Sequence, residues 1–189
     1  MWVEPFSLPL ESSLETATGS ITERRGFLVG VGDSENDDQP AGIGEATPLA
    51  GWTESHDACQ DALAATDPNA PDSCPDPATT PAAAHAVELA ELDARGRRTG
   101  TPLAGVLRAE IGVDTTIPAT VPVNATIGDS SVDETVTAAE TAIEEGYDCL
   151  KLKVGSRAVD EDIEGVRAVR DAVDDAVEIR VDANGAWSE

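Results

Sequence analysis

Positive charge is what this chain most lacks. Two lysines and ten arginines stand against 37 acidic residues, giving a formal net charge of -25. Such a surface repels polyanions, which excludes nucleic acid and anionic membrane as partners. Aromatic residues make up only 3% of the chain, so any core must be aliphatic. The cysteines (Cys59, Cys74, Cys149) are odd in number and lack the paired spacing of a zinc site, so neither a disulfide framework nor structural zinc is expected. No apolar run is long enough to span a bilayer, and no basic segment followed by an apolar run opens the chain; the expected location is the cytoplasm. The acid is spread along the whole sequence, and apolar patterning persists throughout. That combination points to a folded protein of a high-salt organism. At ~1 M salt the Debye length is only about 3 Å, which screens the self-repulsion.

What is present divides into two grammars. Val3–Leu10, Gly26–Gly32 and Ala41–Ala46 read as strands of an antiparallel meander, with an acidic turn over 33–40 and a mobile polar loop over Glu15–Arg25. Residues 53–66 read as a helix with Thr53 as N-cap and Glu54 in its first turn. Asp67–Pro81 is a Pro- and Asp-rich loop. Residues 81–98 form a longer helix with Pro81 in its first turn and Ala82, Ala86, Leu89, Ala90 and Leu92 as its apolar stripe, and a short helix covers 103–110. From residue 117 the pattern changes. Strands at 121–127, 149–154 and 177–182 alternate with helices at 133–145 and 160–173, the first closed by Gly146. Strand–helix alternation implies a parallel sheet. The expected fold class is therefore α/β with α+β: an α+β domain over 1–116, then the first three β/α units of a TIM-type barrel over 117–189.

Both lysines fall in one strand, Cys149-Leu150-Lys151-Leu152-Lys153-Val154. Residues at i and i+2 share a face, so Cys149, Lys151 and Lys153 point one way, and Leu150, Leu152 and Val154 the other. Adjacent ammonium groups disfavour each other's charge, which suits one of them to general-base work. In the next strand Glu178, Arg180 and Asp182 share a face opposite Val177, Ile179 and Val181. Lys153 and Asp182 both sit at strand C-termini, where barrel active sites lie, and are separated by about one βαβ unit.

The segments Leu150-Lys151-Leu152-Lys153-Val154-Gly155 and Arg180-Val181-Asp182-Ala183-Asn184-Gly185-Ala186-Trp187 resemble the enolase superfamily, muconate-lactonizing subgroup. Gly42–Trp52 and Ala86–Asp93 resemble that family's capping domain, the former in the version of the o-succinylbenzoate synthases. The resemblance implies a carbon–oxygen lyase that uses Mg²⁺ to assist α-proton abstraction and dehydration of a small carboxylate substrate in menaquinone biosynthesis. It implies Lys153 as acid/base, Lys151 as its electrostatic partner, and Asp182 as the first of three carboxylate metal ligands. Asn184, Asn124, Arg24 and Arg25 become candidates for substrate contact or for supporting the site. The loops Thr18–Arg25 and Pro48–Glu54 match the family's capping loops. N-Acylamino-acid racemase, dipeptide epimerase and muconate cycloisomerase remain alternatives, and a homo-oligomer is allowed. Only three strands follow residue 117, so the expectation is a barrel truncated at its C-terminus and inactive alone. A non-catalytic fragment needing a C-terminal half is the alternative of another class.

Overall fold

The computed structural model of the protein describes residues 1–16, 19–32, 41–67, 70, 73–113 and 116–187. They form two compact units, one of residues 1–14 and 20–117, the other chiefly of 118–189.

In the first unit β1 (Trp2–Thr16), β2 (Gly19–Val31) and β3 (Gly42–Ala46) lie side by side in that order. β2 and β3 are antiparallel, with Phe27 opposite Ala46 and Val31 opposite Gly42. The polar stretch read as a loop over Glu15–Arg25 is instead mostly strand, since β1 runs to Thr16 and β2 begins at Gly19. Polarity misleads there because strand pairing uses backbone groups and needs no buried side-chain face. The acidic turn expected over 33–40 lies outside the described residues, as do residues 17 and 18.

Three helices complete the unit: α1 (His56–Ala65), α2 (Pro81–Thr99) and α3 (Leu103–Ile111). The N-cap of α1 is Ser55, whose Oγ accepts from Ala58 N at 3.2 Å, and not Thr53. Thr53 Oγ1 accepts from Leu49 N at 2.8 Å and closes the preceding turn. Glu54 is not in the first turn of α1 either. It is buried, and its carboxylate accepts from Ala82 N (3.1 Å) and Ala83 N (2.8 Å), satisfying the open amides at the start of α2. The stripe of α2 is also smaller than expected. Ala82, Ala83, Ala86, Val87, Ala90 and Ala94 are buried, whereas Leu89 and Leu92 are only half-buried. The cause is β3. A Cβ on Gly42 or Gly44 would overlap the α2 backbone at Ala90, Ala94 and Ala86, so strand and helix meet backbone to backbone. Phe27, Val29, Val31, Ala46, Cys59 and Leu63 fill the rest of this core.

The second unit is β4 (Ala125–Ile127), α4 (Val132–Glu144), β5 (Cys149–Lys153), α5 (Val159–Ala172) and β6 (Glu178–Asp182), with the strands parallel in the order β4-β5-β6. The strand expected from residue 121 is short. Val121 and Val123 are well exposed, and pairing begins only at Ala125. Pro122 has no N–H to give a ladder, which fits its place outside the strand. Ser131 caps α4 in a capping box with Glu134, and Gly146 ends the helix region at φ 97°. Ile127, Leu150 and Leu152 pack under Ala139, Ala142 and Val169, so one face of the sheet is dry. On α5 Val169 is buried, Val166 and, just past its end, Val173 are partly so, and Ile163 is exposed. Val181, placed with the apolar face, is likewise exposed. No helix among the described residues is long and apolar enough to cross a membrane.

Candidate active site at the strand ends

β5 and β6 pair in register, with Lys151 opposite Arg180 and Lys153 opposite Asp182. Leucines at 150 and 152 fix which way the strand faces, because they must point into the helix-covered core. Lys151 and Lys153 are thereby forced onto the other face. Their amines converge on one oxygen: Asp182 Oδ2 is 2.7 Å from Lys151 Nζ and 2.8 Å from Lys153 Nζ. Lys153 Nζ also donates to Asn184 Oδ1 at 2.5 Å. Asn184 N donates to the other carboxylate oxygen, Asp182 Oδ1, at 3.0 Å. That last bond needs a sharp turn after the strand, and Asn184 takes it at φ 48°, a left-handed conformation that asparagine tolerates better than most residues.

The hydrogen bond from Lys151 holds the Asp182 carboxyl well below the usual carboxylate range; that from Lys153 and the Asn184 backbone add to it. The three charged side chains remain a quarter to a third exposed. Two amines at an accessible strand end can meet an anionic group of a bound molecule in place of this carboxylate.

The donor chemistry suits magnesium, a hard cation that takes carboxylate oxygens and keeps several waters. The donor count does not make a site. Among the described residues no group of three or more His, Cys, Asp or Glu side chains could hold a metal ion. Asp182 is a single carboxylate, and both of its oxygens already accept hydrogen bonds.

The Enolase C-terminal domain-like family matches residues 134–189, the stretch holding all four members of this cluster. A dipeptide epimerase from Enterococcus faecalis, solved with magnesium and the dipeptide L-Leu-L-Tyr, superimposes with a TM-score of 0.81 at 26% identity, covering 98% of this chain and 53% of that one. Over residues 134–189 the chain is similar to the Enolase C-terminal domain-like family, and its fold is that of solved enolase-superfamily structures. Muconate cycloisomerase 1-2 of Acinetobacter lwoffii is 33% identical over 109 residues, 55% of this chain and 26% of that protein. O-succinylbenzoate synthase from Thermosynechococcus elongatus, with magnesium in its active site, shares the fold with a TM-score of 0.63 at 21% identity, covering 99% of this chain and 52% of that one. The chain thus spans about half the length of the solved enolase-superfamily structures, and its alignment about a quarter of the curated relative.

The structure brings together Lys151, Lys153, Asp182 and Asn184. It does not bring Asn124 to them: Asn124 Nδ2 donates to Thr126 Oγ1 at 3.2 Å, just before and within β4. Arg24, in the first unit, donates to the Thr47 carbonyl at 3.0 Å, and Arg25 faces Glu23 at 3.6 Å. Sequence reasoning passed over two aspartates that hold the loop after β5. Asp129 Oδ2 accepts from Ser156 N at 3.0 Å and from the Ser156 hydroxyl, while Asp162 Oδ2 accepts from Gly155 N at 3.1 Å and Trp187 Nε1 at 3.0 Å. Asp162 gave no signal because it closes the run Asp160-Glu161-Asp162 at a helix start, where acid is expected for the dipole alone. Asp129 sits in a Gly-Asp-Ser-Ser turn that reads as loop chemistry.

Proposed function

We propose that this chain carries the proton-moving end of an enzyme that removes the α-proton of a small carboxylate substrate. The observation that supports this best is two amines meeting one carboxylate oxygen at the C-terminal end of adjacent parallel strands. Lys153, held between Asp182 and Asn184, is the acid/base: the Cα–H bond breaks, the proton goes to Nζ, and the electron pair spreads into the substrate carboxylate. Lys151 stays charged beside it and stabilises the developing negative charge. Magnesium, present in solved relatives, would meet Asp182 as one of its ligands and would supply positive charge toward the substrate carboxylate.

The finer reading is an o-succinylbenzoate synthase-type lyase of menaquinone biosynthesis, acting in the cytoplasm. There the carbanion expels hydroxide, which leaves as water with the proton returned by Lys153, so one acid/base on one side of the substrate is enough. The described cluster offers that much. A second reading, dipeptide epimerisation, is favoured by the 0.81 TM-score to the dipeptide-bound epimerase, and it needs a further proton donor on the opposite face.

The test is α-proton exchange in D₂O with Mg²⁺, run on the product of the whole reading frame that contains these residues. A succinyl hydroxycyclohexadiene carboxylate and a panel of dipeptides serve as substrates. Exchange with either class, reduced at least about 100-fold by Lys153→Ala, is expected. Dehydration product from the first substrate alone selects the lyase; epimerised dipeptide alone selects the epimerase. Exchange that survives Lys153→Ala overturns the assignment of the base.

A further inference from the structure

Asp162 is one of two buried acidic side chains among the described residues, only 6% exposed although it lies in the first turn of a surface helix. A carboxylate kept from water costs stability unless hydrogen bonds replace the lost solvation. Both of its bonds go to loops that leave the strand ends of the site. Gly155 N, two residues beyond Lys153, and Trp187 Nε1, three beyond Asn184, converge on the same Oδ2. The two loops touch beneath it. Gly155 stands at φ 100° with no room for a side chain against Ala183 and Ala186, and Ala186 N closes the second loop on Ala183 O at 2.8 Å. The ladder also runs past the last strand pair, through Val154 N to Asp182 O at 3.2 Å. Nothing in this arrangement touches the amines directly. It sets where the backbone at 183–187 sits, and therefore where Asn184 Oδ1 meets Lys153 Nζ.

We propose that Asp162 is a positioning residue: it ties the loop leaving Lys153 to the loop bearing Asn184, and so keeps the Asn184 carbonyl on the Lys153 amine. The inference rests on the reading of Lys153 as the working amine, but its test needs no turnover. The chain's only two lysines are both in the site, and one serves as the internal control for the other. Among the described residues Lys153 Nζ has two acceptors, Asp182 and Asn184, whereas Lys151 shares only Asp182.

The protein is labelled with a limiting amine-acylating reagent, and the Lys153 to Lys151 labelling ratio is read by peptide mass spectrometry, with circular dichroism confirming the fold. In the unsubstituted protein Lys153 is labelled more slowly than Lys151. Asp162→Ala raises Lys153 labelling several-fold and leaves Lys151 unchanged. Asp162→Asn, which keeps an acceptor oxygen, restores the original ratio. Trp187→Phe keeps the ring but removes the indole donor, and gives a smaller rise confined to Lys153; this variant decides the matter should Asp162→Ala fail to fold. Lysines that rise together in a folded variant, or a ratio that no variant moves, would reduce Asp162 to a structural residue and overturn the proposal. Absence of α-proton exchange in the separate assay would remove the proposed reaction while leaving the labelling result standing.

Discussion

The two units handle buried polarity and close packing in opposite ways. In the first, charge serves the framework. Glu54 satisfies the start of α2, Asp93 Oδ2 accepts from Ile43 N at 2.9 Å and Arg97 Nε at 2.8 Å, and Arg24 holds the Thr47 carbonyl. Its sheet is covered so closely that a Cβ at Gly42 or Gly44 of β3 would overlap the backbone of α2. In the second unit the sheet has one dry face of leucine and isoleucine and one face where Lys151 and Lys153 meet Asp182 and Arg180 meets Glu178, all partly exposed. Charge that stabilises a backbone cannot be moved without breaking it. Charge gathered on an accessible sheet face can be redistributed when something binds. The chemistry is therefore expected in the second unit and the rigidity in the first.

The sharpest way to break this contrast is to add volume to each sheet. Gly44→Val drives two methyl groups into the Ala86 and Ala90 backbone, where neither partner has a side chain that can move aside. The cost should exceed the about 1–3 kcal/mol typical of overpacking, seen as loss of the unit-one transition in chemical denaturation. Thr126→Ile, which adds a carbon at an exposed position of β4, should stay within about 0.5 kcal/mol. Equal effects would mean that the two sheets are packed alike. Next in size is Glu54→Ala, which leaves the Ala82 and Ala83 amides buried without their acceptor. A loss of about 1–3 kcal/mol is expected from one such orphaned group. Denaturation of Glu54→Ala that matches the parent would show that water replaces the carboxylate, and that charge in unit one is as exchangeable as in unit two.

Much of this was legible in the sequence, for physical reasons that also explain the misses. The β5 register could be read because Leu150 and Leu152 alternate with Lys151 and Lys153, and alternation with period two has one solution on a half-buried sheet. Asp182 followed from the strand length before it, and Asn184 only from the resemblance of the segment Arg180–Trp187 to the enolase superfamily. The helices over 81–99 and 132–144 announced themselves through Pro81, their apolar spacing and Gly146. What stayed hidden depends on contacts distant in sequence. Ser55 and Thr53 are both competent N-caps, and only the Leu49–Thr53 turn decides between them. Glu54 acts 28 and 29 residues away, on a helix that it precedes in the chain. The long polar ends of β1 and β2 carry no apolar periodicity, because their pairing is a backbone matter. Asp162 could not be told from its acidic neighbours until the loops at 155 and 187 were seen to meet over it.

The smallest expected effects are pH-dependent, and they fall at opposite ends of the scale in the two units. Cys59, fully buried in unit one, has its thiol pushed up from 9.0 to about 12 by burial, with the Glu54 charge beside it adding to the effect. Its folded pKa is raised, so the folded state holds a proton that the unfolded chain releases. Stability is full below about pH 9 and falls as the pH rises toward 12. Asp182 is the reverse. Its folded pKa is depressed, chiefly by Lys151, so its contribution is present above the ordinary carboxylate value of about 3.9 and is lost as the pH drops through the folded value. The emission of Trp52, in unit one, and Trp187, in unit two, can follow the two ends separately in single-tryptophan variants. Cys59→Ala should flatten the alkaline decline reported by Trp52 and leave the acid limb reported by Trp187 unchanged. Asp182→Asn should do the converse, shrinking the acid-dependent loss near Trp187. An acid limb untouched by Asp182→Asn would mean that the two amines gain nothing from that carboxylate in the folded chain, and the charge-matched face of the second sheet would lose its physical basis.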